Sequence, residues 1–107
     1  MADNLELNGM ERVGTLADLK IRNPLKAKVA GKTILVFQVG EELVATQARC
    51  PHAQGPLDEA ELCGSILTCI WHGWSFDLNT GDCEEDPELK LKRFDVHLEG
   101  EQIFVRV

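Results

Sequence analysis

The stretch from Cys50 to Trp74, CPHAQGPLDEAELCGSILTCIWHGW, holds three of the chain's four cysteines and two of its three histidines. Two short arms stand out, Cys50-Pro51-His52 and Cys69-Ile70-Trp71-His72, with 16 residues between His52 and Cys69. Each arm offers one thiolate and one imidazole, which are ligands for soft and borderline metals. The spacing therefore predicts two loops that converge on one site with two sulfur and two nitrogen ligands.

Two metal centres fit such a ligand set. A structural zinc ion takes two cysteines and two histidines, but zinc fingers usually place the cysteine pair in one arm and the histidine pair in the other. A [2Fe–2S] centre with mixed ligands needs two cysteines on one iron and two histidines on the other. Arms that each carry one cysteine and one histidine favour the iron–sulfur centre. A zinc-stapled binding module without a redox role is the alternative from another class.

The two arms resemble the signature of the Rieske domain, CPH at Cys50–His52 and CIWHGW at Cys69–Trp74. The segment FDLNTG at Phe76–Gly81 and the final segment Phe94–Val107 also match the usual layout of that family. The fold implied is all-β, with an antiparallel β base and a small, loop-rich, cluster-binding subdomain.

The resemblance also implies the ligands of one Rieske-type [2Fe–2S] cluster. Cys50 and Cys69 would hold the buried iron, and His52 and His72 the outer one. Imidazole ligands leave the site less negative than thiolates would, which raises its potential to roughly −150 to +300 mV.

High-potential Rieske proteins carry an extra cysteine in each arm, and a serine and a tyrosine after the second histidine. This chain has Gly55, Trp71, Trp74 and Phe76 at those places, and none of them offers a thiol or a hydroxyl. Hydrogen bonds to the cluster sulfurs stabilise its reduced, more negative form. The resemblance is therefore to the low-potential, oxygenase-associated branch.

The rest of the chain predicts antiparallel β-structure. Glycines at 31 and 40 separate three segments rich in Val, Ile and Thr, as expected for tight hairpins. Apolar and polar residues alternate from Phe94 onwards, with a turn at Gly100, and His97 falls on the polar side. A short helix is expected at residues 15–19. The predicted strands are Leu25–Ala30, Lys32–Gln38, Glu42–Ala48, Ser65–Ile70, Trp74–Leu78 and a C-terminal hairpin.

Length and composition indicate one domain, residues 1–107, with the cluster-binding lobe at about residues 49–86. The formal net charge of −7 argues against nucleic acid or an anionic membrane as the main partner. No secretory signal or membrane span is recognised, so we expect a cytoplasmic monomer with reduced cysteines.

The function implied by the resemblance is electron transport. The chain would carry one electron from a ferredoxin reductase to a terminal oxygenase, of the ring-hydroxylating or a related type. The alternative is a small Rieske-like subunit of an assimilatory nitrite reductase. We expect no catalytic activity in the chain itself, because no nucleophile–base pair, phosphate loop or open metal position is recognised.

Residues outside the two arms have simpler interpretations. Cys63 and Cys83 match no ligand position and are interpreted as buried apolar residues or bystander thiols. His97 is expected to be exposed. The acidic residues beside the lobe form either a solvated face or a surface for docking partners. They are Asp58, Glu59, Asp82, Glu84, Glu85, Asp86 and Glu88.

Overall fold

The computed structural model describes residues 9–50, 55–70 and 73–107. The predicted all-β fold is confirmed within these ranges, where nine strands accompany one short helix and one 3₁₀ turn. The elements are β1 Glu11–Thr15, α1 Leu16–Ile21, β2 Leu25–Val29, β3 Lys32–Val39, β4 Glu42–Gln47, the 3₁₀ turn Leu57–Glu59, β5 Glu61–Cys63, β6 Ile66–Thr68, β7 Ser75–Asp77, β8 Arg93–Glu99 and β9 Gln102–Arg106.

The strands form two antiparallel sheets. Six strands make the larger sheet in the order β1-β9-β8-β4-β3-β2, and three make the smaller sheet in the order β5-β6-β7. The predicted hairpins β2–β3, β3–β4 and β8–β9 are confirmed. Gly31 turns the first of them with a φ of 81°, a value that glycine accepts at little cost. The smaller sheet lies within residues 49–86, the predicted cluster-binding lobe.

The helix begins as the sequence predicts. The hydroxyl of Thr15 accepts a hydrogen bond from the Asp18 amide at 3.3 Å, and the Asp18 carboxylate accepts one from the Thr15 amide at 2.9 Å. This reciprocal capping satisfies two amides that the first helical turn leaves without partners. The helix extends to Ile21, two residues further than predicted. No helix in the described ranges is long and apolar enough to span a membrane.

Strand β3 is buried on both faces, which the alternating pattern of the other strands does not suggest. Ile34 and Val36 face one apolar core, while Leu35 and Phe37 face another, and all four side chains are at most 1% exposed. The first core, which we call the base core, lies within the larger sheet and against the helix. The second, which we call the site core, lies between the larger sheet and the segments around the smaller one. The buried residues of the site core are Leu35, Phe37, Val44, Cys50, Leu57, Leu67, Cys69, Phe76, Leu78, Cys83 and Leu91.

Candidate metal centre

The first arm starts where β4 leaves the larger sheet. Arg49 and Pro56 form an isolated antiparallel bridge, and the amide of Cys50 donates to the carbonyl of Gly55 at 2.8 Å. The chain therefore leaves the bridge at Cys50 and returns to it at Gly55. The residues between them, 51–54, lie outside the described ranges.

The second arm is closed in the same way at the end of the β6–β7 hairpin. The amide of Cys69 donates to the carbonyl of Trp74 at 2.9 Å, and the amide of Gly73 donates to the carbonyl of Cys69 at 2.9 Å. In both arms the cysteine amide therefore bonds to the carbonyl five residues further along the chain. Trp71 and His72 of this arm lie outside the described ranges.

The two cysteines that open these loops are brought into one apolar environment. Cys50 is 0% exposed and Cys69 is 1% exposed, and both belong to the site core. None of the four cysteines, all of which are described, forms a disulfide. Two buried, reduced thiols at the stems of two similar loops fit a metal cluster that requires sulfur ligands shielded from water.

The histidines predicted as ligands, His52 and His72, lie outside the described ranges. Within the described ranges, no three side chains of His, Cys, Asp or Glu are grouped closely enough to hold a metal ion. Both predicted sulfur ligands thus lie in the site core, and the ligand set as a whole stays a prediction.

The side chains that follow the second arm are apolar or already engaged. Phe76 is fully buried, and Trp74 is partly buried against the site core. Ser75 does carry a hydroxyl, but its Oγ lies 3.1 Å from Oγ1 of Thr68 on the neighbouring strand. Both hydroxyls are partly buried, and this mutual hydrogen bond holds β6 and β7 together where the arm begins.

The interpretation of the acidic residues as one solvated or docking face is wrong for Asp58. Only 12% of its side chain is exposed, and its carboxylate lies 3.7 Å from Arg22 and 3.8 Å from Lys26. Asp58 therefore ties the 3₁₀ turn after the first arm to the end of α1 and to β2. Such contacts join residues far apart in sequence, so no local pattern reveals them.

Asp82 is also paired, although both partners are exposed. The ammonium of Lys90 donates to its carboxylate at 2.8 Å, and this hydrogen bond together with the positive charge lowers the pKa of Asp82. Glu84 and Glu88 are exposed and remain available to a partner. Glu59 is exposed as well, so docking stays a hypothesis for Glu59, Glu84 and Glu88.

The remaining cysteines and His97 differ in burial. Cys83 is 4% exposed and belongs to the site core, whereas Cys63 is exposed at the turn between β5 and β6. His97 is less exposed than expected, since 35% of its side chain is accessible and its Nε2 lies 3.1 Å from a carboxylate oxygen of Glu99.

Sequence reasoning did not single out Glu85 as a partner of the second arm. Its Oε1 accepts a hydrogen bond from the Ser75 amide at 2.8 Å and lies 3.7 Å from Sγ of Cys83. A hydrogen bond between a side chain and a backbone amide ten residues away has no sequence motif. This contact is therefore recognised only in the structure.

The chain is similar to several known proteins along most of its length. The family model described as the Rieske [2Fe-2S] domain matches residues 10–95. The ferredoxin component of biphenyl 2,3-dioxygenase from Rhodococcus jostii is 32% identical over 97 residues, which cover 90% of this chain and 91% of that protein. The apoptosis-inducing factor 3 of Homo sapiens is 40% identical over 77 residues. Those residues are 71% of this chain, which spans only 13% of the length of that relative.

The fold has close counterparts among solved structures. The ferredoxin of carbazole 1,9a-dioxygenase from Nocardioides aromaticivorans superimposes with a TM-score of 0.82 at 29% identity, covering 92% of this chain and 98% of that one. The cofactor is accordingly a [2Fe–2S] cluster, which sets aside the zinc alternative. The family model matches residues 10–95, and the biphenyl dioxygenase ferredoxin component is matched over 91% of its length. The chain therefore belongs to the Rieske [2Fe–2S] domain family.

Proposed function

We propose that Cys50 and Cys69 bind one iron of the cluster and that His52 and His72 bind the other. The burial of both thiols in the site core and the similar closure of the two loops support the sulfur half of this set. The sequence places each histidine inside one of the loops, two or three residues after its cysteine. We further propose a single domain over residues 1–107.

The chain is proposed to act as a one-electron carrier between a ferredoxin reductase and a terminal oxygenase. The observation that carries this proposal is the match along nearly the whole length of the ferredoxin component of a dioxygenase. A cytoplasmic location is proposed with it, because four cysteines without a disulfide fit a reducing compartment.

The residues of this chain shield the cluster ligands from water and offer a surface to a partner protein. The cluster, when bound, supplies reversible one-electron oxidation and reduction. The site core keeps water from the two thiolates, because Leu67 and Phe76 are fully buried around the stem of the second arm. Ile70, the residue after Cys69, is 51% exposed and gives a partner an apolar contact beside the arm.

Reconstitution tests this function. Purified protein should be brown-red and contain about two iron atoms and two acid-labile sulfides per chain. It should also be required for electron flow from a ferredoxin reductase to a ring-hydroxylating oxygenase. If the coloured protein supports only a nitrite reductase, the assignment to an oxygenase system is wrong. If the purified protein is colourless and contains one zinc ion, the assignment of an iron–sulfur cluster is wrong.

The reduction potential is expected to lie in the low-potential part of the Rieske range, below about +100 mV. Neither Trp74 nor Phe76 offers a hydroxyl, and the Ser75 hydroxyl is engaged with Thr68. Stabilising hydrogen bonds to the reduced cluster are thereby lost from these positions. A redox titration monitored by circular dichroism measures the midpoint potential. A value well above about +100 mV would contradict the assignment to the low-potential branch.

A further inference from the structure

The segment that follows the turn after β7 continues the smaller sheet for a short distance. The amide of Asp77 donates to the carbonyl of Asp82 at 2.9 Å, and the amide of Glu84 donates to the carbonyl of Ser75 at 2.9 Å. Phe76 and Cys83 face each other between these bonds as an isolated antiparallel bridge. Strand β7 therefore has β6 on one side and residues 82–84 on the other.

The backbone pairing on this second side stops at Ser75, the first residue of β7. In an antiparallel ladder the amide and the carbonyl of one residue point to the same neighbouring strand. The Ser75 carbonyl has its backbone partner in Glu84. The Ser75 amide is instead taken by the side chain of Glu85, whose Oε1 lies 2.8 Å away. The Glu85 carboxylate thus takes the place of the backbone carbonyl that would be the next acceptor in the ladder.

Ser75 directly follows Trp74, the residue on whose carbonyl the second arm closes. Its hydroxyl bonds to Thr68, the residue before Cys69, and the carbonyl of the preceding Trp74 accepts from the Cys69 amide. The Glu85 carboxylate therefore holds the strand at the stem of the loop that carries one proposed ligand pair.

We propose that Glu85 is a positioning residue for the second arm of the cluster site. Its carboxylate fixes the first residue of β7, and through the adjoining Trp74 carbonyl it holds the amide of Cys69. The proposal rests on the ligand set proposed above. It gives one acidic residue of the segment from Asp82 to Glu88 a role in holding the cluster, distinct from docking or solvation.

Three variants of the holoprotein test this role. In Glu85→Ala the carboxylate is lost, and the cluster should be released to a chelator about 5-fold faster, with an altered visible circular dichroism spectrum. Glu85→Gln keeps an oxygen that can accept from the Ser75 amide, so its release rate should stay within about 2-fold of wild type. Glu84→Ala is the matched control, because Glu84 is an exposed neighbour whose carboxylate accepts no hydrogen bond from the described residues. Its release rate and spectrum should match wild type.

The outcomes distinguish a positioning role of Glu85 from a general loss of stability and from an error in the proposed ligands. If Glu85→Ala and Glu84→Ala release the cluster equally fast with identical spectra, the proposal is overturned, even when Glu85→Ala melts at a lower temperature. If Glu85→Gln behaves like Glu85→Ala, the hydrogen bond is not the cause and the proposal also fails. The iron and sulfide content of the wild type tests the ligand set independently. Slower exchange of the Ser75 amide proton in wild type than in Glu85→Ala reports the hydrogen bond directly.

Discussion

Replacing Cys69 with serine should remove the iron almost completely, from about two atoms per chain to a small fraction of one. A serine hydroxyl does not ionise readily near neutral pH and is a harder ligand than a thiolate, so it is a poor substitute at an iron–sulfur centre. Cys50→Ser should give the same result, because both thiols open equivalent loops and lie in the same core. Iron and acid-labile sulfide analysis of purified protein measures the effect.

Cys83 provides a matched control for these substitutions. It is 4% exposed, belongs to the same core as Cys50 and Cys69, and has its Sγ 3.7 Å from the Glu85 carboxylate, so a serine there also buries a hydroxyl in a largely apolar site. Cys83→Ser should cost about 1–3 kcal/mol of stability yet keep the full iron content. Cys63→Ser, at an exposed turn, should change neither quantity. Full iron content in Cys69→Ser, or equal loss in Cys83→Ser, would contradict the proposed ligands.

Much of the fold follows from local sequence. The hairpins around Gly31, Gly40 and Gly100 are specified by glycines between alternating segments, and the structure confirms them. The cap at Thr15 depends on two residues three positions apart, so it too is visible in the sequence. Features with short sequence separation and a specific residue requirement are predictable for this reason.

The features that sequence did not reveal depend on contacts between distant segments. The run from Ile34 to Phe37 is apolar because cores lie on both sides of β3, but such a run alone does not say which side faces which core. The sequence predicts a surface acid at Asp58, yet Arg22 and Lys26 from another part of the fold hold its carboxylate. Glu85 accepts from the Ser75 amide, and every residue except proline has a backbone N–H, so the sequence does not reveal which one Glu85 contacts.

Replacing Gly81 with alanine should destabilise the protein by about 3 kcal/mol. Gly81 has a φ of +83°, and a Cβ built there would lie 2.7 Å from the carbonyl oxygen of Leu91. The conformation alone costs an alanine about 1–2 kcal/mol. The overlap adds to this because the atom it meets belongs to the backbone and cannot rotate away. Gly81 also accepts from the Leu91 amide at 2.7 Å, so relieving the overlap strains that hydrogen bond.

Gly31→Ala isolates the contribution of the overlap from that of the conformation. Gly31 has a φ of +81°, nearly the same as Gly81, but its Cβ would meet no atom within 4 Å. Urea denaturation of both variants should therefore show Gly81→Ala less stable than Gly31→Ala by at least about 1 kcal/mol, with unchanged m-values. Equal stabilities would show that the chain accommodates a Cβ beside Leu91. The larger loss should come with faster release of the cluster, since residues 82–91, which include Glu85, are held against β7 by the contacts of Gly81 and Asp82. Gly31→Ala, at a hairpin of the larger sheet, should leave that release rate unchanged.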